Sequence, residues 1–237
     1  MDRQLKKVVK SDEFKQQVWH SIDFVKDHKA EAQKYGGIAL AVLVIAGGIY
    51  FYVNHQGDVR EEALAHALRV DQGTVGANTQ AANLHFDTQE DKDKAREKAF
   101  REVASKYPGT QEAAISLMNL GQAAVDKGDL AEGEKDFKTV ADSAPSAYAS
   151  QAALALAQLY SLENKDAEAE KLLDNLIKNP SVTVSKDEAE LALIKVMGKT
   201  DPAKARKRLE DLQARAKSTA ISKAAVSEMA ELMGRNN

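Results

Sequence analysis

The chain has 237 residues, 29% of them charged and 5% aromatic, with 13 Gly, four Pro and no Cys. The missing cysteine excludes disulfides, a thiolate nucleophile and Cys-based zinc sites. The formal net charge is −3. The first 34 residues hold eight of the 33 Lys/Arg and six of the 36 Asp/Glu, so the part beyond the apolar run carries an acid excess of five. Such a surface is poorly suited to nucleic acid, whose phosphates demand basic contacts.

In chain order, residues 11–33 read as an amphipathic helix. Phe14, Val18, Ile22 and Val25 recur at helical spacing, with Trp19 beside them. So short a tail has no core of its own, and its stripe needs either the membrane surface or a partner. Then come twenty uncharged residues, Tyr35 to Asn54, around GGIALAVLVIAGGIYFYV. At about 1.5 Å per residue the run spans about 30 Å, a bilayer core, and it predicts a transmembrane helix. A cleaved leader is disfavoured by the 34 preceding residues and by the lack of a small-x-small site in the following NHQGDV. Lys15, Lys26, Lys29 and Lys34 lie within twenty residues before the span, against Arg60 and Arg69 after it. The positive side stays inside, so the N-terminus is expected in the cytoplasm and the larger part outside, in a bacterium the periplasm. Tyr35, Tyr50 and Tyr52 lie near the span's ends, where amphipathic rings favour the interface. Gly37 and Ala41 make a small-xxx-small pair suited to helix packing.

Beyond residue 57 the chain repeats. Phe100, Phe137, Leu173 and Leu209 are spaced 37, 36 and 36, and Val103, Val140, Leu176 and Leu212 keep the same spacings. Gly133, Ala169 and Ala205 precede the last three large residues by four. This is the small-x-x-x-large pattern of a tetratricopeptide helix pair, at a period slightly above the usual 34. The stretch LMNLGQAAVDKGDLAEGEKDFKTVADSAP (117–145) follows that consensus most closely. It has Leu120-Gly121 at the Leu-Gly step, Lys127-Gly128-Asp129 as the turn and Pro145 closing the unit. The consensus Trp is missing, residues 73–89 form a long insert in the first unit, and Leu193 replaces a small residue in the fourth. Asp129 and Ser185, each with Glu three residues later, predict capping boxes, and Asp201-Pro202 predicts a helix start. Pro108-Gly109 predicts a helix end. Residues 219–233 read as a helix capping the last repeat, because an open solenoid end would expose apolar surface.

The expected fold is therefore all-α: one transmembrane helix, then a TPR-like α-solenoid of about four helix pairs plus a C-terminal capping helix. The expected domains are a cytoplasmic tail (1–34), the membrane helix (35–54) and a periplasmic TPR-like domain (55–237). Stacked pairs leave a concave side built mainly from the first helix of each pair. By consensus position, groove-facing candidates in the second unit are Ile115, Met118, Gln122 and Val125. In the third they are Gln151, Leu154 and Gln158, and in the fourth Glu190, Ile194 and Met197. Any single apolar member of the set has packing as its competing role. As a set, mixed apolar and Gln/Glu groups suit weak binding of an extended or helical polypeptide.

Nothing in the sequence points to catalysis. His20, His28, His55, His66 and His85 form no H-x-x-x-H or H-E-x-x-H pair, and no G-x-S-x-G, Walker A or dinucleotide fingerprint occurs. No enzyme activity, metal, cofactor or small-molecule substrate is expected.

The stretches AAISLMNLGQAAVDKGDLAEGEKDF (113–137) and QAALALAQLYSLENKDAEAEKLLDNL (151–176) are similar to the two central repeats of the YfgM-like family, the ancillary TPR subunit of the Sec translocon. The order of tail, membrane helix and repeats resembles that family as well. The resemblance implies an inner-membrane protein working with translocon subunits, periplasmic chaperones or emerging exported chains. It carries no functional residue with it. The alternative expectation is a TPR scaffold for another cell-envelope assembly machine.

Overall fold

A computed structural model describes residues 29–76, 84–215 and 219–234. The amphipathic stretch expected at 11–33 lies almost wholly outside the described residues. Among these there are nine helices and one short strand pair. The helices are α1 (Lys29–Asp71), α2 (Gln89–Lys106), α3 (Gln111–Asp126), α4 (Leu130–Ser143), α5 (Ser146–Leu162), α6 (Asp166–Lys178), α7 (Lys186–Thr200), α8 (Pro202–Arg215) and α9 (Thr219–Gly234). The chain divides into two compact units, Met1–Asp58 and Val59–Asn237.

The first unit contains the apolar part of α1. This is the one described helix long and apolar enough to cross a membrane, and none of its apolar window is buried. Leu43 and Phe51 are 69% and 74% exposed. Side chains of this kind have no reason to face water on every side of a helix, so lipid is the environment that suits them.

The second unit opens with the last turns of α1, whose Ala63, Ala67 and Leu68 share a core cluster with Phe100 and Val103 of α2. The pairs α3/α4, α5/α6 and α7/α8 follow, and α9 packs on both α7 and α8 as the expected cap. The two periodic rows read from the sequence are the centre of this stack. Phe100, Phe137, Leu173 and Leu209 are all buried, as are Val103, Val140, Leu176 and Leu212. A helix pair alone would leave these side chains in water, and each additional pair hides the previous one's face.

Local chemistry sets the helix ends. The hydroxyls of Thr88 and Thr110 and the carboxylate of Asp129 accept from the backbone N–H three residues on, at 3.1, 3.3 and 3.1 Å. Ser185 and Glu188 complete a full capping box, whereas Asp129 supplies only its own half. The Asp201 carboxylate accepts from Lys204 N–H at 3.0 Å, with Pro202 as the first helical residue. Of the four positions with a left-handed backbone, two lie in turns inside a helix pair: Gly128 at φ +83° and Asn164 at φ +60°. They occupy equivalent places, 36 residues apart, between the helices of the second and third pairs.

The insert of the first unit departs from the all-helical expectation. Thr74–Val75 and His85–Phe86 form a two-residue parallel pair, with Thr74 N–H donating to Leu84 O at 2.9 Å. Gly73 allows this approach, because a Cβ there would stand 2.5 Å from the Phe86 ring. Backbone pairing is how this non-helical chain satisfies its polar groups against the stack.

Candidate polypeptide-binding face

The first helices of the pairs form a contiguous layer. Besides its neighbours in sequence, α3 touches α5, and α5 touches α7. Close approach is built into the α3/α4 crossing. A Cβ on Gly121 would stand 2.7 Å from the Phe137 ring, and one on Gly133 would stand 2.7 Å from Val125 Cγ2 and 3.2 Å from Gly121 O. Two glycines thus let α4 settle on α3 and bring α5 within reach of both.

The ten residues read as groove-facing divide three ways. Gln122, Gln151 and Gln158 are exposed. Ile115 is half-buried, and so are Met118, Val125 and Leu154, which pack against core side chains of the neighbouring helices. For these last three, packing between helices is the observed role. Glu190, Ile194 and Met197 are buried, with Ile194 at 0% exposure. This corrects their placement on an open groove. The spacing was sound, but α9 and α8 close over α7, and consensus position alone does not say which repeat is covered.

Glu190 shows how the closure is made. Its carboxylate accepts from Arg208 Nε at 3.2 Å and pairs with the Arg215 guanidinium, both from α8. A buried carboxylate needs such partners. The sequence carried no signal for this trio, whose members lie 18 and 25 residues apart.

Similar ion pairs stitch successive pairs together. Arg101 of α2 donates to Asp136 at 2.9 Å and to Glu132 at 3.0 Å, both on α4. Burial pushes the Asp136 carboxyl above its ordinary range, and the Arg101 contact opposes that push. Arg60 of α1 lies 3.5 Å from Glu112 of α3. Burial pushes the Glu112 carboxyl up too. Bonds from its own backbone N–H, Gln111 and Thr110, with the Arg60 charge, outweigh it and hold the group below its ordinary value. Lys165 stands over the Tyr160 ring and near Glu134, which also accepts from the Tyr160 hydroxyl at 2.9 Å.

These groups are engaged with one another, and their geometry is that of joints between repeats. The cavity beside Arg101 and Leu120 holds about 110 Å³, and two wider, more open depressions, one beside Tyr160 and Leu172 and one beside Lys94 and Ser105, hold about 730 and 540 Å³. Among the described residues, no group of three His, Cys, Asp or Glu is placed to hold a metal ion. His55, His66 and His85 are exposed, and His20 and His28 lie outside the described residues.

The family of tetratricopeptide repeat-like domains matches residues 30–175, more than half of the chain. The chain belongs to this family. The matched stretch takes in the apolar helix as well as the repeats, and ends within α6. No curated protein and no solved structure matches the chain. A tetratricopeptide repeat-like domain is an interaction fold: its stacked helices present an extended surface to other proteins, and it is typically a scaffold rather than a catalyst. In this member Gln122 on α3 and Gln151 and Gln158 on α5 lie open.

Proposed function

We propose that this tetratricopeptide repeat-like protein is a single-pass inner-membrane adaptor. Its N-terminus is cytoplasmic, its span covers residues 35–54, and its domain at 55–237 works in the periplasm with the Sec translocon, periplasmic chaperones or emerging exported chains. The observation that carries this reading is the pairing of an apolar, fully uncovered helix with a repeat domain whose α3 and α5 face stays open. An anchor on the same chain as a weak binding face converts encounter with a partner in the same membrane into a local event. Tethering of that kind multiplies effective concentration without adding a contact. The family match across anchor and repeats together supports reading the two as one functional unit.

The excess of Lys before the span over Arg after it supports the orientation. A reporter enzyme active only in the periplasm, fused after Asn237, is expected to be active, and an inactive fusion would reverse the topology. For the partner, photo-crosslinking residues at positions 122 and 158 are expected to capture translocon subunits, periplasmic chaperones or exported chains. Capture of cell-wall or outer-membrane assembly components alone would replace this reading with a scaffold for another envelope machine.

A further inference from the structure

The second helices of the first two pairs stand apart. Phe100 and Val103 of α2 pack with Leu117 and Leu120 of α3, while Phe137 and Val140 of α4 pack with side chains of α3 and α5. Among the described residues, no core cluster holds side chains of both α2 and α4. The Arg101 guanidinium bridges the gap instead. One of its nitrogens donates to Asp136 at 2.9 Å and another to Glu132 at 3.0 Å. The two acceptors differ. Glu132 is partly exposed and also accepts from Lys135. Asp136 is 1% exposed, and its Oδ2 is buried with no hydrogen-bond partner among the described residues. A buried carboxylate with one oxygen unmatched depends on its one cation, and a neutral carboxyl does not.

We infer that Asp136 is a proton-operated latch: ionised, it ties α2 to α4 through Arg101, and protonated, it frees α2 to swing outward on its packing with α3. Space for the motion is present. Arg101 lines both the cavity of about 110 Å³ beside Leu120 and the open depression of about 540 Å³ beside Lys94. Its side chain is 37% exposed, so the guanidinium reaches water once released. Burial pushes the Asp136 carboxyl above its ordinary 3.8, and Arg101 opposes that push. With the folded value raised, the neutral form is the one the fold favours, and that stability is present in acid and lost as pH rises. Acid therefore opens the joint without unfolding the repeat. The charges that reach Asp136 are Arg101 from α2 and Glu132 and Lys135 from its own helix. Glu97, Lys98 and Glu102 of α2 line the outer depression. On α3, Glu112 is engaged with Arg60 and Asp126 with Gln122. Helix α5 has no charged residue; its Tyr148 packs with Val140, and its Tyr160 donates to Glu134.

The chain has no cysteine, so Lys98→Cys and Lys138→Cys supply the only two thiols for spin labels, at exposed positions of α2 and α4. Their separation is read by pulsed electron resonance on the full chain in mild detergent, from about pH 7 to about pH 4, the range above an ordinary Asp. A second pair, Lys138→Cys with Lys178→Cys, reports on α4 and α6. The expected result is a lengthening of about 2 Å in the first pair at the acid end, the scale of a helix shift, with the second pair unchanged. Asp136→Asn, uncharged at every pH, should show the longer distance already at neutral pH and no response to acid. A first pair that stays fixed in acid, an Asp136→Asn chain that keeps the shorter distance, or one that still responds to acid would each overturn the latch. Equal lengthening of both pairs would overturn it too, because acid would then be loosening the whole stack. The titration with Asp136 in place decides the matter even where the Asn variant folds poorly, which circular dichroism would show.

Discussion

The tight α3/α4 crossing makes Gly121→Ala the most informative perturbation of the fold. The new methyl would lie 2.7, 2.9 and 3.1 Å from three atoms of the Phe137 ring. That ring is 2% exposed and sits against Leu156 and Leu159, so it has no free space to turn into. Overpacking of this kind costs about 1–3 kcal/mol. Replacing Gly by Ala within a helix returns about 0.8–1 kcal/mol through propensity. The expected net loss is up to about 2 kcal/mol, a factor of up to roughly 30 in local opening. Hydrogen exchange of the full chain in mild detergent is the assay, read on α3 and α4 amides. Phe137→Leu removes the ring atoms that clash. In that background Gly121→Ala should cost less by about 1 kcal/mol or more, as expected for residues in direct contact. A stabilising Gly121→Ala, or strict additivity with Phe137→Leu, would refute the claim that this crossing is limited by the glycine and the ring.

Three further outcomes follow from the same structure. Asn164, at φ +60°, should accept Gly without loss, whereas Asn164→Val should cost about 1–2 kcal/mol because a β-branched residue is strained there, measured by urea denaturation. Glu112 has a carboxyl pKa below its ordinary 4.5, so its contribution is fully present above that value and lost as pH falls through the lower folded value. Glu112→Gln should therefore flatten the acid side of the stability profile, and an unchanged profile below pH 4.5 would contradict the assignment. Glu190→Ala removes the partner of Arg208 and Arg215. It should raise exchange in α7 and α8 while leaving α2 unchanged, since a solenoid transmits losses mainly to its neighbours. A uniform rise along the domain would mean that the repeats unfold as one.

The composition, the uncharged run Tyr35 to Asn54 and the two periodic rows already determined the all-helical class, the long apolar helix and the core residues. Each of these depends on patterns repeated along the chain, and the physics of burial makes such patterns local. The small positions Gly121 and Gly133 were legible for the same reason, since consensus spacing marks where helices must approach. The face was legible only in part. Gln122, Gln151 and Gln158 lie open, yet Glu190, Ile194 and Met197 came from the same register and are enclosed. Periodicity reports which side of a helix a residue occupies, whereas the presence of α9 over α7 is a contact between segments distant in sequence. The joints Arg101 to Asp136 and Glu190 to its two arginines are of that second kind, as is the short pairing of Thr74–Val75 with His85–Phe86. Their partners are chosen by stacking geometry, and only the tertiary structure brings them within bonding distance.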